Sequence, residues 1–145
     1  MLRAERVESV RQVELLRRVR NAAAGGYTSF NGQVQPLEQQ HWWQSMHGSI
    51  RAWLYYADPD LVGYGLVRRE PDGTWWNSIG VCPAYRGHGW GCSITADVLN
   101  RHRGTLHSAV RRDNPAAVKM HHFLDWEEVS GPDDALLYLR SRGRA

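Results

Sequence analysis

A mixed α/β fold is predicted by three features of this 145-residue sequence. Four segments carry a helical period or helix-start signals, and seven others read as short extended runs. Three of the extended runs follow one another mid-chain, as an antiparallel meander would. Strands and helices then alternate toward the C-terminus, which brings both into one layered unit. The length suits a single domain over residues 1–145, large enough to bury a core.

The elements follow in order. "LRAERV" reads as a short first strand. In "ESVRQVELLRRVRN", Val10, Val13, Leu16 and Val19 stand at three-residue steps with Leu15 beside them, which predicts an amphipathic helix with that face inward. "AAAGGYTSFNGQVQ" is a loop by its glycine and polar content. "PLEQQHWWQSMHG" opens on proline and stops at glycine, the asymmetry of a helix start and end. "SIRAWLYYA", "LVGYGLVRRE" and "TWWNSIGVC" are the three meander strands, with "PDG" turning the chain before the third. "SITADVLNRH" is a helix with Ile94, Val98 and Leu99 on one face. "GTLHSAV" is a strand, and "NPAAVKMHHFL" a helix opened by Asn and Pro. "WEEVSG" and "ALLYLRS" close the chain as strands either side of "PDD".

Composition narrows the function classes. Apolar content of 42% and charged content of 23% are those of an ordinary soluble globular chain. No apolar run approaches the ~20 residues of a membrane span, so no membrane partner is expected. The charged start "MLRAERVESV" is unlike a secretory leader, and the expected location is cytoplasmic. Cys82 and Cys92 are the two cysteines and form neither a disulfide framework nor a zinc pattern. The seven histidines show no ligand spacing, so no metal is expected. A net charge of +3 is too mild, and the arginines too dispersed, for a dedicated nucleic-acid binder. The same charge suits a polyanionic cofactor. Most of the seven tryptophans are expected in the core or lining a groove.

"VCPAYRGHGWGCSI" carries the chemistry. A strand ends, glycines alternate after an arginine, and a helix begins, which is the sequence form of an anion site. The first-turn amides of a helix lack intrahelical partners and carry the positive end of its dipole. Glycine admits a phosphate close to the backbone. Arg86 adds a charged donor. Neither the P-loop pattern nor the dinucleotide fingerprint fits, because no lysine follows and no βαβ unit surrounds the motif.

"VCPAYRGHGWG" resembles the acetyl-CoA motif V-x-P-x-x-R-G-x-G-x-G of the GCN5-related N-acetyltransferases, the GNAT superfamily. Its core R/Q-x-x-G-x-G is met by Arg86, Gly89 and Gly91. "NPAAVKMHHFLDW" is similar to a second family pattern, N-x-x-A-x-x-x-Y-x-x-x-G-F. Asn114 and Ala117 match it, Trp126 replaces Phe, Asp125 takes the glycine position and His121 the tyrosine position. "VRN" at 19–21 and "PLEQQHWWQSM" look more loosely like enzymes that acetylate amino sugars or the N-terminal amines of ribosomal proteins. The resemblance implies the GNAT fold: a mostly antiparallel central sheet splayed between its fourth and fifth strands, with helices on both faces. It implies acetyl-CoA as co-substrate and transfer of acetyl to a primary amine of an amino sugar-like small molecule, or to an α-amine. It also places the cofactor along Val81, Cys82, Pro83, Arg86, Gly87, His88, Gly89, Trp90, Gly91, Cys92, Asn114 and Ala117.

His121 is the catalytic candidate, as proton donor to the leaving thiolate where the family commonly has tyrosine, or as a capping residue. "TWWNSIGV" offers Trp75, Asn77 and Ile79 on the face shared with Val81, and none is a base. Without a base, an amine of α-amino-like pKa near 8 is favoured over a lysine-like one near 10.4. Glu38, Glu70 or water remain as bases. Asn21, Trp43, Trp75 and Asn77 are the acceptor-binding candidates, with Trp42 also placed to stack. Cys82 beside the acetyl site is read as a packing residue because no His–Asp pair accompanies it. Two alternatives stay open: an enzyme of the same fold modifying a nucleobase or hypermodified DNA, and a non-catalytic acyl-CoA-binding module. A homodimer and a nucleic-acid partner are likewise open.

Overall fold

A computed structural model describes residues 1–23 and 34–143. The elements run β1 (Arg3–Arg6), α1 (Val10–Ala22), α2 (Pro36–Met46), β2 (Ile50–Ala57), β3 (Asp60–Arg69), β4 (Trp75–Val81), α3 (Trp90–Arg101), β5 (Leu106–Arg111), α4 (Pro115–Phe123), β6 (Glu127–Val129) and β7 (Leu136–Arg140). This is the order expected from the sequence. Most of the loop expected over 22–35 lies outside the described residues. One sheet of seven strands is ordered β1-β2-β3-β4-β5-β7-β6. Every neighbouring pair is antiparallel except β4 and β5.

Two apolar layers cover the sheet. On one face α1 lays Val13, Leu16 and Val19 over Ala52, Leu54, Tyr64 and Leu66. On the other, Ile94 and Val98 of α3 pack with Trp53, Tyr55, Val67, Leu106, Val110, Trp126, Leu137 and Leu139. Tyr55 donates to Asp97 Oδ2 at 2.6 Å, and Arg101 Nε donates to the same oxygen at 2.6 Å, tying α3 to β2.

Local signals explain the helix ends. Ser9 caps α1 with a reciprocal box, Gln12 N–H to Ser9 Oγ at 3.2 Å and Ser9 N–H to Gln12 Oε1 at 3.0 Å. The cap sets Val10 in the first turn, where it is 71% exposed. Val10 therefore leaves the inward face expected of it. Asn114 caps α4 by accepting from Ala117 N–H at 3.3 Å, with Pro115 next. Asp125 follows the end of α4 at φ 64°, the left-handed position expected of it. α3 begins at Trp90, three residues ahead of the helix expected from 93, because the left-handed Gly89 turns the chain directly into it.

Close strand–strand packing depends on Gly63 in β3. A Cβ there would lie 2.4 Å from the carbonyl oxygen of Gly80 and 3.0 Å from Ile94 Cδ1. The first of these is backbone and cannot rotate away. Gly63→Ala should destabilise the fold by about 1–3 kcal/mol, read as a lower urea midpoint at unchanged m-value. An unshifted midpoint would show that the β3–β4 register accommodates a methyl group.

Candidate active site

β4 and β5 pair only at Trp75 with Leu106 and Trp76 with His107, and then part. Opposite β3, the bond from Cys82 N–H to the Val62 carbonyl at 2.8 Å fixes which residues face which edge. Even-numbered residues of β4 bond to β3, so the N–H and C=O groups of Asn77, Ile79 and Val81 point to the β5 side. Past the Trp76–His107 pair β5 is no longer there to receive those of Ile79 and Val81. A row of backbone donors and acceptors thus lines an open cleft.

The cleft ends on α3. Ser93 N–H to the Gly89 carbonyl, at 3.2 Å, is the first bond of the helix. The amides of Trp90, Gly91 and Cys92 precede it and have no intrahelical acceptor. Gly91 sits over the end of β4, where its Cβ would be 3.8 Å from Val81 Cγ2. Gly87 and Gly89 have φ of 86° and 76°, and among the described residues nothing lies within 4 Å of where a Cβ would stand at either. The turn therefore leaves both its backbone and the volume beside it open, as a cradle for an anionic ligand requires. Arg86 lies across this turn, its Nε donating to the Val81 carbonyl at 3.2 Å.

A cavity of about 700 Å³ opens through the splay and reaches both faces of the sheet. Asn114, Ala117, Met120 and His121 wall it from α4; Arg20 and Trp42 wall it from α1 and α2. Trp76, Asn77, Ser78 and Ile79 line it from β4, and Arg68 and Glu70 stand near its mouth. Asn77 Oδ1 is buried there without a partner. Among the described residues no three His, Cys, Asp or Glu side chains converge as a metal site. Among the same residues no helix is long and apolar enough to cross a membrane.

His121 is 3% exposed and stands edge-on to Trp126, ring centroids 4.9 Å apart. Its Nδ1 is 2.7 Å from the Ala117 carbonyl oxygen. A carbonyl only accepts, so Nδ1 carries the proton and Nε2 the lone pair. Nε2 is buried with no partner. Burial pushes the imidazole below its ordinary 6.5, the Ala117 carbonyl raises it, and neighbouring His122 lowers it further. The resting ring is neutral and base-competent at Nε2. Donation to a thiolate, the role expected from the sequence, would need the imidazolium that burial disfavours.

The other expected residues divide. Val81, Pro83, Arg86, Gly87, His88, Gly89, Trp90, Gly91 and Cys92 form one continuous turn from β4 into α3. Asn114, Ala117 and Asn77 line the cavity as expected. Cys82 adds its backbone to the turn, but its Sγ faces the α1 layer, 3.9 Å from the Leu61 carbonyl. Burial pushes that thiol up, so it is not a resting thiolate. Three acceptor candidates stand elsewhere. Trp75 lies beside His102 on the α3 face, ring centroids 5.4 Å apart, at the end of β4 that is still paired with β5 and short of the opening. Trp43 packs on the α1 layer while Trp42 lines the cavity. Asn21 clamps Val34 by both backbone groups, at 2.9 and 2.7 Å. Of the candidate bases, Glu38 is exposed on α2, and Glu70 at the mouth is bound by Arg68 at 3.0 and 2.7 Å. Arg20, Trp76 and Ser78 were not expected in the site. Among these, only the strand alternation around Trp76 was a signal in the sequence.

A profile of the Acetyltransferase (GNAT) family matches residues 16–126. No curated protein matches the chain. Solved structures similar to it include a ribosomal-protein-alanine N-acetyltransferase from Brucella melitensis, 17% identical with a TM-score of 0.75, covering 97% of this chain and 98% of that one. An N-acetyltransferase from Staphylococcus aureus Mu50 is 15% identical with a TM-score of 0.74, covering 95% and 97%. A GNAT superfamily phosphinothricin acetyltransferase from Sinorhizobium meliloti, in complex with acetyl-CoA, is 14% identical with a TM-score of 0.76, covering 97% and 90%. At these identities the likeness is one of fold.

The lowered His121 has a consequence for stability. His102 is lowered too, by burial and then by Arg51. Both bind protons less readily folded than unfolded, so below pH 6.5 the unfolded chain holds more of them. The contribution is complete above that pH and is lost as pH falls through it. Urea unfolding from pH 7.5 to 5 should show this decline, and it should be shallower in His121→Phe. Equal slopes would mean that folded His121 protonates as easily as a free imidazole.

Proposed function

The chain belongs to the acetyltransferase (GNAT) family, and from that premise we propose that it moves the acetyl group of acetyl-CoA onto a primary amine of a small molecule or onto an α-amine. One observation carries the reading: the unpaired edge of β4 leads to the open first turn of α3. An extended arm with amides of its own can pair with the first, and phosphates can sit on the second. Acetyl-CoA, when bound, supplies such an arm, its phosphates and an activated acyl thioester.

The roles then fall to named residues. The Val81 N–H, on the open edge, receives the arm as β4 ends, and Cys82 and Pro83 carry the chain on beside it into the turn. Gly87, His88, Gly89, Trp90, Gly91 and Cys92 turn main-chain amides toward the phosphates, and Arg86 adds a charged donor beside them. Asn114 and Ala117 wall the thiol end. Asn77, with its unpartnered Oδ1, holds an N–H of the acceptor. His121 Nε2 takes the proton that the amine gives up as its nitrogen bonds to the acyl carbon. The departing thiolate takes a proton from water, and the hydroxide left is neutralised by the proton that His121 returns to solvent. Proton acceptance replaces the donor role because Nδ1–H is committed to Ala117 and burial keeps the ring neutral.

Gly89→Val would force a side chain into a left-handed position at a cost of roughly 1–2 kcal/mol and fill the cradle. It should weaken acetyl-CoA by tenfold or more in calorimetry while unfolding stays cooperative. Unchanged affinity would remove the phosphates from this turn. His121→Phe should lower kcat by about 100-fold with acetyl-CoA affinity kept. In the wild type, kcat should fall as pH drops below 6.5 and the lone pair is lost, and that step should vanish in the variant. A limb falling on the alkaline side of neutrality would instead mark His121 as the donor.

A further inference from the structure

We propose that the acceptor amine carries a carboxylate in the same small molecule, as a free amino acid does, and that Arg20 holds it. The proposal rests on the transfer reading above and names its acceptor class. Three guanidinium groups line the cavity. Arg68 is matched by Glu70 at 3.0 and 2.7 Å, and Arg111 by Asp113 at 3.0 and 2.7 Å. Arg20 meets no carboxylate among the described residues. It is half-buried at the end of α1, with Nη1 on Gln39 Oε1 at 3.2 Å and its Cζ 4.9 Å from the centre of the Trp42 ring. Its Nε is buried without an acceptor. Gln39, 1% exposed, and the Trp42 face fix the guanidinium before any ligand arrives.

A fixed, partly desolvated cation with no counter-charge is costly unless a ligand supplies the charge. A carboxylate does so, and the planar fork of arginine matches its two oxygens. The same cation works on the amine. Positive potential disfavours an ammonium and favours the neutral nucleophile, which offsets the raising effect of the amine's own carboxylate. A polyamine brings only positive charge to Arg20, and a peptide N-terminus has its carboxylate tied up as an amide. The free amino acid satisfies both ends: carboxylate on Arg20 at the α1 wall, amine toward Asn77 and His121.

The test compares free L-amino acids with their primary carboxamides at saturating acetyl-CoA, by thiol release and by quenching of tryptophan fluorescence. Wild type should turn over its best amino acid with a kcat/KM about 10–100 times that of the matching amide. Arg20→Gln should remove that preference by slowing the acid alone, with acetyl-CoA affinity unchanged, and Arg20→Lys should restore part of it. Equal rates on acid and amide in wild type, or equal losses on both in Arg20→Gln, would overturn the proposal. Tighter binding of acid than amide that depends on Arg20, without turnover, supports the carboxylate site and counts against transfer. Absence of both turnover and Arg20-dependent binding overturns the carboxylate site, while a retained acetyl-CoA affinity leaves the cofactor reading standing.

Discussion

A strand in the middle of a sheet ordinarily gives both edges to its neighbours, and beyond Trp76 the strand β4 gives only one. Backbone groups left this way need other partners or solvent. That unmet pairing organises everything around it. It opens the cavity through the sheet, so that α1 on one face and α4 on the other line a common space. The divergence begins where β5 is already anchored on its far side: Leu106 N–H bonds Ser141 Oγ at 2.8 Å, and Ser141 N–H bonds the Leu106 carbonyl at 2.8 Å. β5 is thus held to the β7 half while β4 stays with β3. The sheet behaves as two halves joined at a two-residue hinge line.

The backbone half of the site was legible in the sequence, and the side-chain half was not. Glycines after a strand and before a helix state a requirement on φ and on close approach, and that requirement is local. The caps Asn114 and Ser9 are local as well, and the reciprocal box of Ser9 with Gln12 is what places Val10 in the exposed first turn. The acceptor side is assembled from α1, α2, β3, β4 and β5, whose relative placement no short window encodes. Paired residues of equal hydrophobicity caused the misplacements. Trp75 and Trp76 stand on opposite faces of β4, and Trp42 and Trp43 are neighbours on α2, so each pair offers two identical side chains in different directions. Periodicity sees both, and only the packed structure tells which one lines the cavity.

His121 shows how one hydrogen bond decides a charge state. The family pattern alone suggested a donor, because tyrosine donates. The carbonyl of Ala117, one turn earlier on the same helix, is in reach of Nδ1 and so sets the tautomer. An imidazole then presents a lone pair where a phenol would present a proton. Burial against Trp126 keeps that lone pair unprotonated into the acidic range. β4 carries no carboxylate, and Arg20, Asn77 and Ser78 are among the polar groups that line the cavity.

The orientation of Cys82 bears on the kinetic scheme. Its sulfur lies against the α1 layer and not in the cleft, so Cys82 is not in position to carry the acyl group between substrates. Under the proposed transfer the acetyl group would then pass directly from one substrate to the other, with both in the cleft together. The cofactor arm, lying along β4, would complete the wall against which the acceptor sits. In that arrangement the acceptor wall would be complete only with the cofactor in place. Initial-rate plots for such a scheme intersect, whereas an acyl-enzyme route would give parallel lines. The turn of one small side chain thereby bears on whether the acetyl group would ever rest on Cys82.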